Sequence, residues 1–127
     1  MSEIAFTPVT WSGAKKMNDR LVTNDELDRA LSFLRDSAIS MGQAKARLVM
    51  AGHMVSHIEA LMIVGSEESS ADKRKADARA SDRYKAAIEE EADAAGDFEK
   101  LKSLREAAAM KIEAWRSEQA NYRAMKV

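Results

Sequence analysis

The 127-residue sequence has no cysteine, a single proline, five glycines and only 6% aromatic residues. Without cysteine there are no disulfides, no thiolate nucleophile and no Cys-based metal site, which fits a reducing cytoplasm. So few chain breakers argue against a many-stranded sheet with its turns and favour long helices. Net charge is scarce too: the formal balance is −1, so the whole-protein field does not advertise a nucleic-acid binder. The segment Met1–Thr10 carries Glu3 and lacks the basic and apolar regions of a signal peptide. No apolar run reaches the roughly 20 residues that span a bilayer. The expectation is a cytoplasmic protein with no membrane partner.

What the chain does have is a seven-residue rhythm. With Leu27 at heptad position a, Leu34, Met41, Leu48, Val55 and Met62 also fall at a, and Ala30, Ser37, Ala44, Ala51 and Ile58 fall at d. In the second half Tyr84, Phe98 and Ile112 fall at a, and Ala80, Ala87, Ala94, Leu101, Ala108, Trp115 and Tyr122 at d. Folding the chain about the centre of Gly65–Ser70 pairs Leu27 with Ala108, Leu34 with Leu101, Met41 with Ala94, Leu48 with Ala87 and Val55 with Ala80. Ser37 then meets Phe98 and Ala51 meets Tyr84, so large side chains mostly face small ones. The predicted fold is all-α, one domain: an elongated antiparallel two-helix coiled-coil hairpin. Residues 1–22 form an N-terminal segment near its open end, 24–64 the first helix, 65–70 the turn and 71–126 the second helix.

Local signals place the ends. Thr23 with Glu26 fits a capping box, with Asp25, Glu26 and Asp28 supplying acid to the first turn. Gly65 suits the residue after the first helix, and Ser69 or Ser70 the start of the second. Gly42 and Gly52 interrupt the first helix at about 1 kcal/mol each relative to Ala. In the second, Asp93-Ala94-Ala95-Gly96-Asp97 is the expected site of a kink. The second helix outruns the first, so Ile112, Trp115, Gln119 and Tyr122 lack a partner from it. The apolar Phe6, Val9 and Trp11 of the N-terminal segment are the expected cover, a second subunit the rival.

The residues that carry chemistry are few. His53 and His57 share a helix face, but two ligands are too few for a metal site and no Glu follows the first His. Lys75, Arg79 and Arg83, each four apart, make a basic stripe able to contact phosphate, with Asp72, Asp77 and Asp82 interleaved. Glu89-Glu90-Glu91 with Asp93, Asp97 and Glu99 is an acidic run. With no convergent His, Cys or Gly-rich loop, no active site, cofactor or metal is predicted. The densest interaction signal is at the C-terminal end, where Trp115 and Tyr122 share the seam and Arg116 and Arg123 flank it. Trp, Tyr and Arg dominate binding hot spots and also stack single-stranded bases.

The run Met110-Lys111-Ile112-Glu113-Ala114-Trp115-Arg116-Ser117, ending in Asn121-Tyr122-Arg123, resembles small uncharacterised helical proteins of tailed bacteriophages and prophages. The resemblance is weaker over Asp28–His57 and Ser70–Leu104. It carries over no catalytic residue. It implies a non-enzymatic accessory protein in phage DNA metabolism or recombination, acting through a protein partner or single-stranded DNA in the host cytoplasm. Two other readings stand beside it. One is an inhibitor of a host defence nuclease complex, with the Glu89–Glu99 stretch mimicking nucleic acid. The other is a structural coiled-coil assembly protein, paired with itself as a homodimer.

Overall fold

The computed structural model describes residues 20–126, which form α1 (Asn24–Asp36), α2 (Ala38–Val64), α3 (Ala71–Arg79) and α4 (Asp82–Met125). Among the described residues there is no strand. The described residues are all-helical as predicted, but they form four helices where two long ones were expected.

α1, α3 and α4 begin where a side chain takes up an unbonded amide, whereas Ser37 at the start of α2 makes no such bond. The Thr23 hydroxyl accepts from the Glu26 N–H at 3.1 Å, the Ser70 hydroxyl from Lys73 at 3.2 Å and the Ser81 hydroxyl from Tyr84 at 3.2 Å. Gly65 ends α2 with φ −81°, so it closes the helix in the right-handed region and needs no left-handed backbone.

The breaks fall away from the expected weak points. Gly42 and Gly52 lie inside α2, and Asp93–Asp97 lies inside α4 without interruption. The first arm breaks instead at Ser37, with φ −92° and ψ 0°. The second breaks at Ala80–Ser81, where Ser81 is extended and its hydroxyl donates back to the Ala78 carbonyl at 2.6 Å. Ala80, predicted at a seam position, is exposed for this reason, and Ala78 is the buried residue.

α4 runs antiparallel to α1 and α2. The Leu21 N–H donates to Glu118, Arg105 to the Leu34 carbonyl, Arg47 to Glu90, and Arg79 to Glu59, so numbers rise on one arm as they fall on the other. The register differs from the predicted one by about one helical turn. Leu34 lies at Arg105, not at Leu101, and Ala87 shares a cleft with Met50, Ala51 and Met54, not with Leu48. Ser37 meets Arg105, not Phe98. The shift originates at the turn. A symmetric turn would set Ser66 beside Ser69, but the Ser66 hydroxyl donates to Asp77, deep in α3, at 2.9 Å. The loop therefore climbs past the end of α2 before α3 turns back. From Ala71 to Asp77 every residue of α3 is exposed.

The seam itself follows the heptads. Ala30, Ser37, Ala51 and Ile58 are buried on the first arm and Ala94 and Ala108 on α4, with Leu27, Leu34, Met41, Ala44, Leu48, Val55 and Met62 half-buried beside them. The contact layer is thin and alanine-rich. Across it Arg47 forks from α2 to two carboxylates of α4, Glu90 at 2.9 Å and Asp97 at 2.6 Å. The hydrogen bond to Glu90, then that to Asp97, raises the guanidinium pKa above its ordinary value and holds Arg47 charged.

α2 is the most apolar of the four helices. By length and composition this 27-residue helix is apolar enough to cross a membrane, with a best window of mean hydropathy 1.3. Only 11% of that window is buried, whereas a comparably apolar core helix of a water-soluble protein is mostly covered.

Candidate interaction surface

Three regions carry the residues singled out in the sequence. At the open end the chain before α1 is pinned to the last turns of α4. Glu118 accepts from the Leu21 N–H at 2.5 Å and from the Val22 N–H at 3.3 Å, and Val22 is 4% exposed. The Arg20 guanidinium lies over the Tyr122 ring at 5.8 Å from its centroid. Trp115 is half-buried, and its indole N–H is enclosed with no acceptor among the described residues. Ile112, Gln119 and Tyr122 are also half-buried. The expected cover by Phe6, Val9 and Trp11 lies outside the described residues.

The flanking arginines are less committed. Arg116 is exposed and pairs with Glu113 one turn back at 3.2 Å, while Arg123 donates to the Gln119 carbonyl at 3.4 Å. Trp115 and Tyr122 thus sit on the seam and Arg116 and Arg123 outside it, as their spacing implied, but Tyr122 already carries a cation on its face.

The basic stripe does not survive as one row. Lys75 and Arg79 lie on α3, Arg83 on α4, and the extended Ser81 separates them. Arg79 also spends its charge on Glu59 of α2 at 3.4 Å. The acidic run is partly consumed too, through Glu90 and Asp97 on Arg47 and the Glu91 carboxylate over Gly52, where an added Cβ would lie 2.9 Å from it.

Enclosed space is small. A cleft of about 230 Å³ between α1 and α4 is lined by Ala30, Phe33, Leu104, Ala107 and Ala108, with Arg29 and Lys111 at its edge. Small-molecule sites usually run to roughly 300–1,000 Å³ with convergent polar groups. His53 and His57 are both exposed, and among the described residues no group of three or more His, Cys, Asp or Glu is placed to hold a metal.

The surface that sequence reasoning passed over is the outer side of α2. Ile39 is 76% exposed, Met50 61% and Val64 81%, and Val49, Met54 and Leu61 are exposed as well. The exposed positions on the side away from α4 are Ile39, Gly42, Gln43, Ala46, Val49, His53, Ser56, His57, Ala60 and Val64, with Ile63 half-buried among them and Met50 at the edge, where it also lines the cleft with Ala87 of α4. None carries an acidic or a Lys/Arg side chain. A surface helix normally presents charge on this side. The signal was in the sequence, because between Arg47 and Glu59 no charged residue occurs on any face. Periodicity at the a and d positions drew attention to the inner seam alone.

No protein-family model, curated protein or solved structure matches this chain.

Proposed function

We propose that the chain is a non-enzymatic interaction protein that works by docking the outer face of α2 against another protein, on the frame of an antiparallel coiled-coil-type hairpin interrupted at Ser37 and Ser81. The observation that carries this is the uncharged, exposed face from Ile39 to Val64. Exposed apolar area of this length on a helix marks an interaction site. The structural assembly role weighed from the sequence is the form best supported. The accessory role in phage DNA metabolism and the inhibition of a defence nuclease are both served by the same face. Single-stranded DNA is the weaker partner, because Lys75 and Arg79 are separated from Arg83 and Tyr122 is occupied by Arg20.

The test is affinity capture with the full chain from a bacterial host, comparing wild type with Val49→Glu and Met50→Glu. Both positions are exposed, so helicity by circular dichroism should be unchanged. A partner lost in both variants supports the reading. Salt-dependent binding of labelled single-stranded DNA that both variants retain overturns it in favour of the DNA reading.

A further inference from the structure

We infer that the occupant of the outer face of α2 is a second copy of the same helix, lying antiparallel about a two-fold axis near Ala51; this rests on the docking reading above. Ile39, Gly42, Ala46, Val49, His53, Ser56, Ala60 and Ile63 recur at alternating spacings of three and four, which makes a second heptad seam on the side away from α4, exposed from Ile39 to Ala60 and half-buried at Ile63. That seam is self-complementary when reversed. Ile39 meets Ile63 of the other copy, Gly42 meets Ala60, Ala46 meets Ser56, and Val49 meets His53. Small residues at four of the eight positions let the two helices approach closely, and isoleucines close both ends.

The flanks agree with the seam. In the reversed arrangement the residues beside it that face each other are Lys45 and Glu59, on both sides of the axis, with Met50 against Met50 and Gly52 against Gly52 at the centre. A parallel pair would set Lys45 against Met50 and Glu59 against Val64, so neither charge would meet its opposite. Lys45 is exposed and, among the described residues, in no ion pair; its ammonium lies 5.1 Å from the Phe98 ring centroid. Glu59 is bonded on one oxygen, Oε2, to Arg79. Charge complementarity of this kind sets orientation in paired helices.

Length is adequate. Ile39 to Ile63 covers about 36 Å of helix. Two such faces pressed together are on the scale of the roughly 1,200 Å² at which specific interfaces begin. A bilayer is the poorer occupant, since Arg47 and its two carboxylate partners would have to enter with the helix.

The absence of native cysteine makes the test clean. Sedimentation of the full chain should show a dimer, and Val49→Glu should weaken it at least about tenfold by placing charge in an apolar seam. Lys45→Glu and Glu59→Lys should each weaken self-association, and mixing the two variants should restore it, because each then meets the opposite charge. Met50→Cys alone should form a covalent dimer under mild oxidation, and Ile39→Cys should do so only when mixed with Ile63→Cys. Circular dichroism on every variant separates lost pairing from lost folding. A monomer at all concentrations overturns the inference, as does a mixture no tighter than its components, self-crosslinking through Ile39→Cys alone, or a monomer that co-sediments with phosphatidylcholine–phosphatidylserine vesicles. If the chain is monomeric but its captured partner is lost in Val49→Glu, self-pairing is overturned while the docking reading stands.

Discussion

Arg105 of α4 donates to the Leu34 carbonyl at 2.8 Å and to the Ser37 hydroxyl at 2.6 Å, so the break in the first arm is held by a cation from the opposite arm. Arg105 occupies a seam position where the heptads elsewhere place Phe98 and Ile112. Its charge is tolerated there because the last carbonyls of α1 form the negative end of a helix.

Arg105→Met keeps much of the aliphatic length and removes both bonds. It should cost about 1–3 kcal/mol, the scale for leaving a partly buried acceptor unsatisfied. Urea unfolding followed by circular dichroism measures this. If the midpoint does not move, the break at Ser37 stands without help from α4.

The observed register predicts which engineered pairs crosslink within one chain. Ala30 and Ala108 line one cleft, and Ala51 and Ala87 another, so Cys pairs at those positions should close intramolecular disulfides. Leu34 with Leu101, the pair favoured by a symmetric turn, should close poorly. Non-reducing electrophoresis of the naturally cysteine-free chain carrying each pair decides between the two registers. Within the same seam, Ile58→Ala should cost about 2–5 kcal/mol, because Ile58 is the largest side chain among the buried hydrophobic residues.

Which parts of this were legible depends on the range of the interaction that decides them. The a and d positions from Leu27 to Met62 are all buried or half-buried, because one apolar stripe and the helical period suffice to set them. Ser81 was also readable: a serine followed by Asp82 is an N-cap with acid in the first turn, but continuing the heptads from Ala80 hid it. Ser37 was not readable, since the group that stabilises its break comes from Arg105, far along the chain. The register was missed for a related reason. Equal arms about a turn is a symmetry assumption, and the bond from Ser66 to Asp77 breaks it. At the candidate site the Trp115–Tyr122 seam was visible from spacing, whereas the divided basic stripe followed from the unseen break at Ser81.

Glu118 ties down the chain before α1 by accepting from two successive backbone amides. Glu118→Ala should free the Leu21 and Val22 amides without disturbing Thr23, whose cap is local. Hydrogen exchange should then quicken at Leu21 and Val22 and stay unchanged at Glu26. Equal quickening at all three would mean that Glu118 holds the whole start of α1.

Trp115 tests whether the open end is a packed core or a waiting surface. Its ring is half-buried and, among the described residues, its indole N–H is enclosed without an acceptor and the Oε2 atom of Glu118, one turn further along α4, without a donor. An enclosed donor with no partner is a cost that an apolar ring of similar shape avoids. Trp115→Phe should therefore leave thermal stability unchanged or raise it, while Trp115→Ala should lower it by about 3–5 kcal/mol through lost packing. If instead Trp115→Phe destabilises by more than about 1 kcal/mol, the indole N–H is bonded in solution. Glu118 Oε2 is then the acceptor to examine, and Glu118→Gln should reproduce much of the loss. Should neither Trp115 variant move the melting curve, the ring contributes nothing to the folded chain. Trp115 would then be counted, with Arg116 and Arg123, as part of a surface kept for a partner.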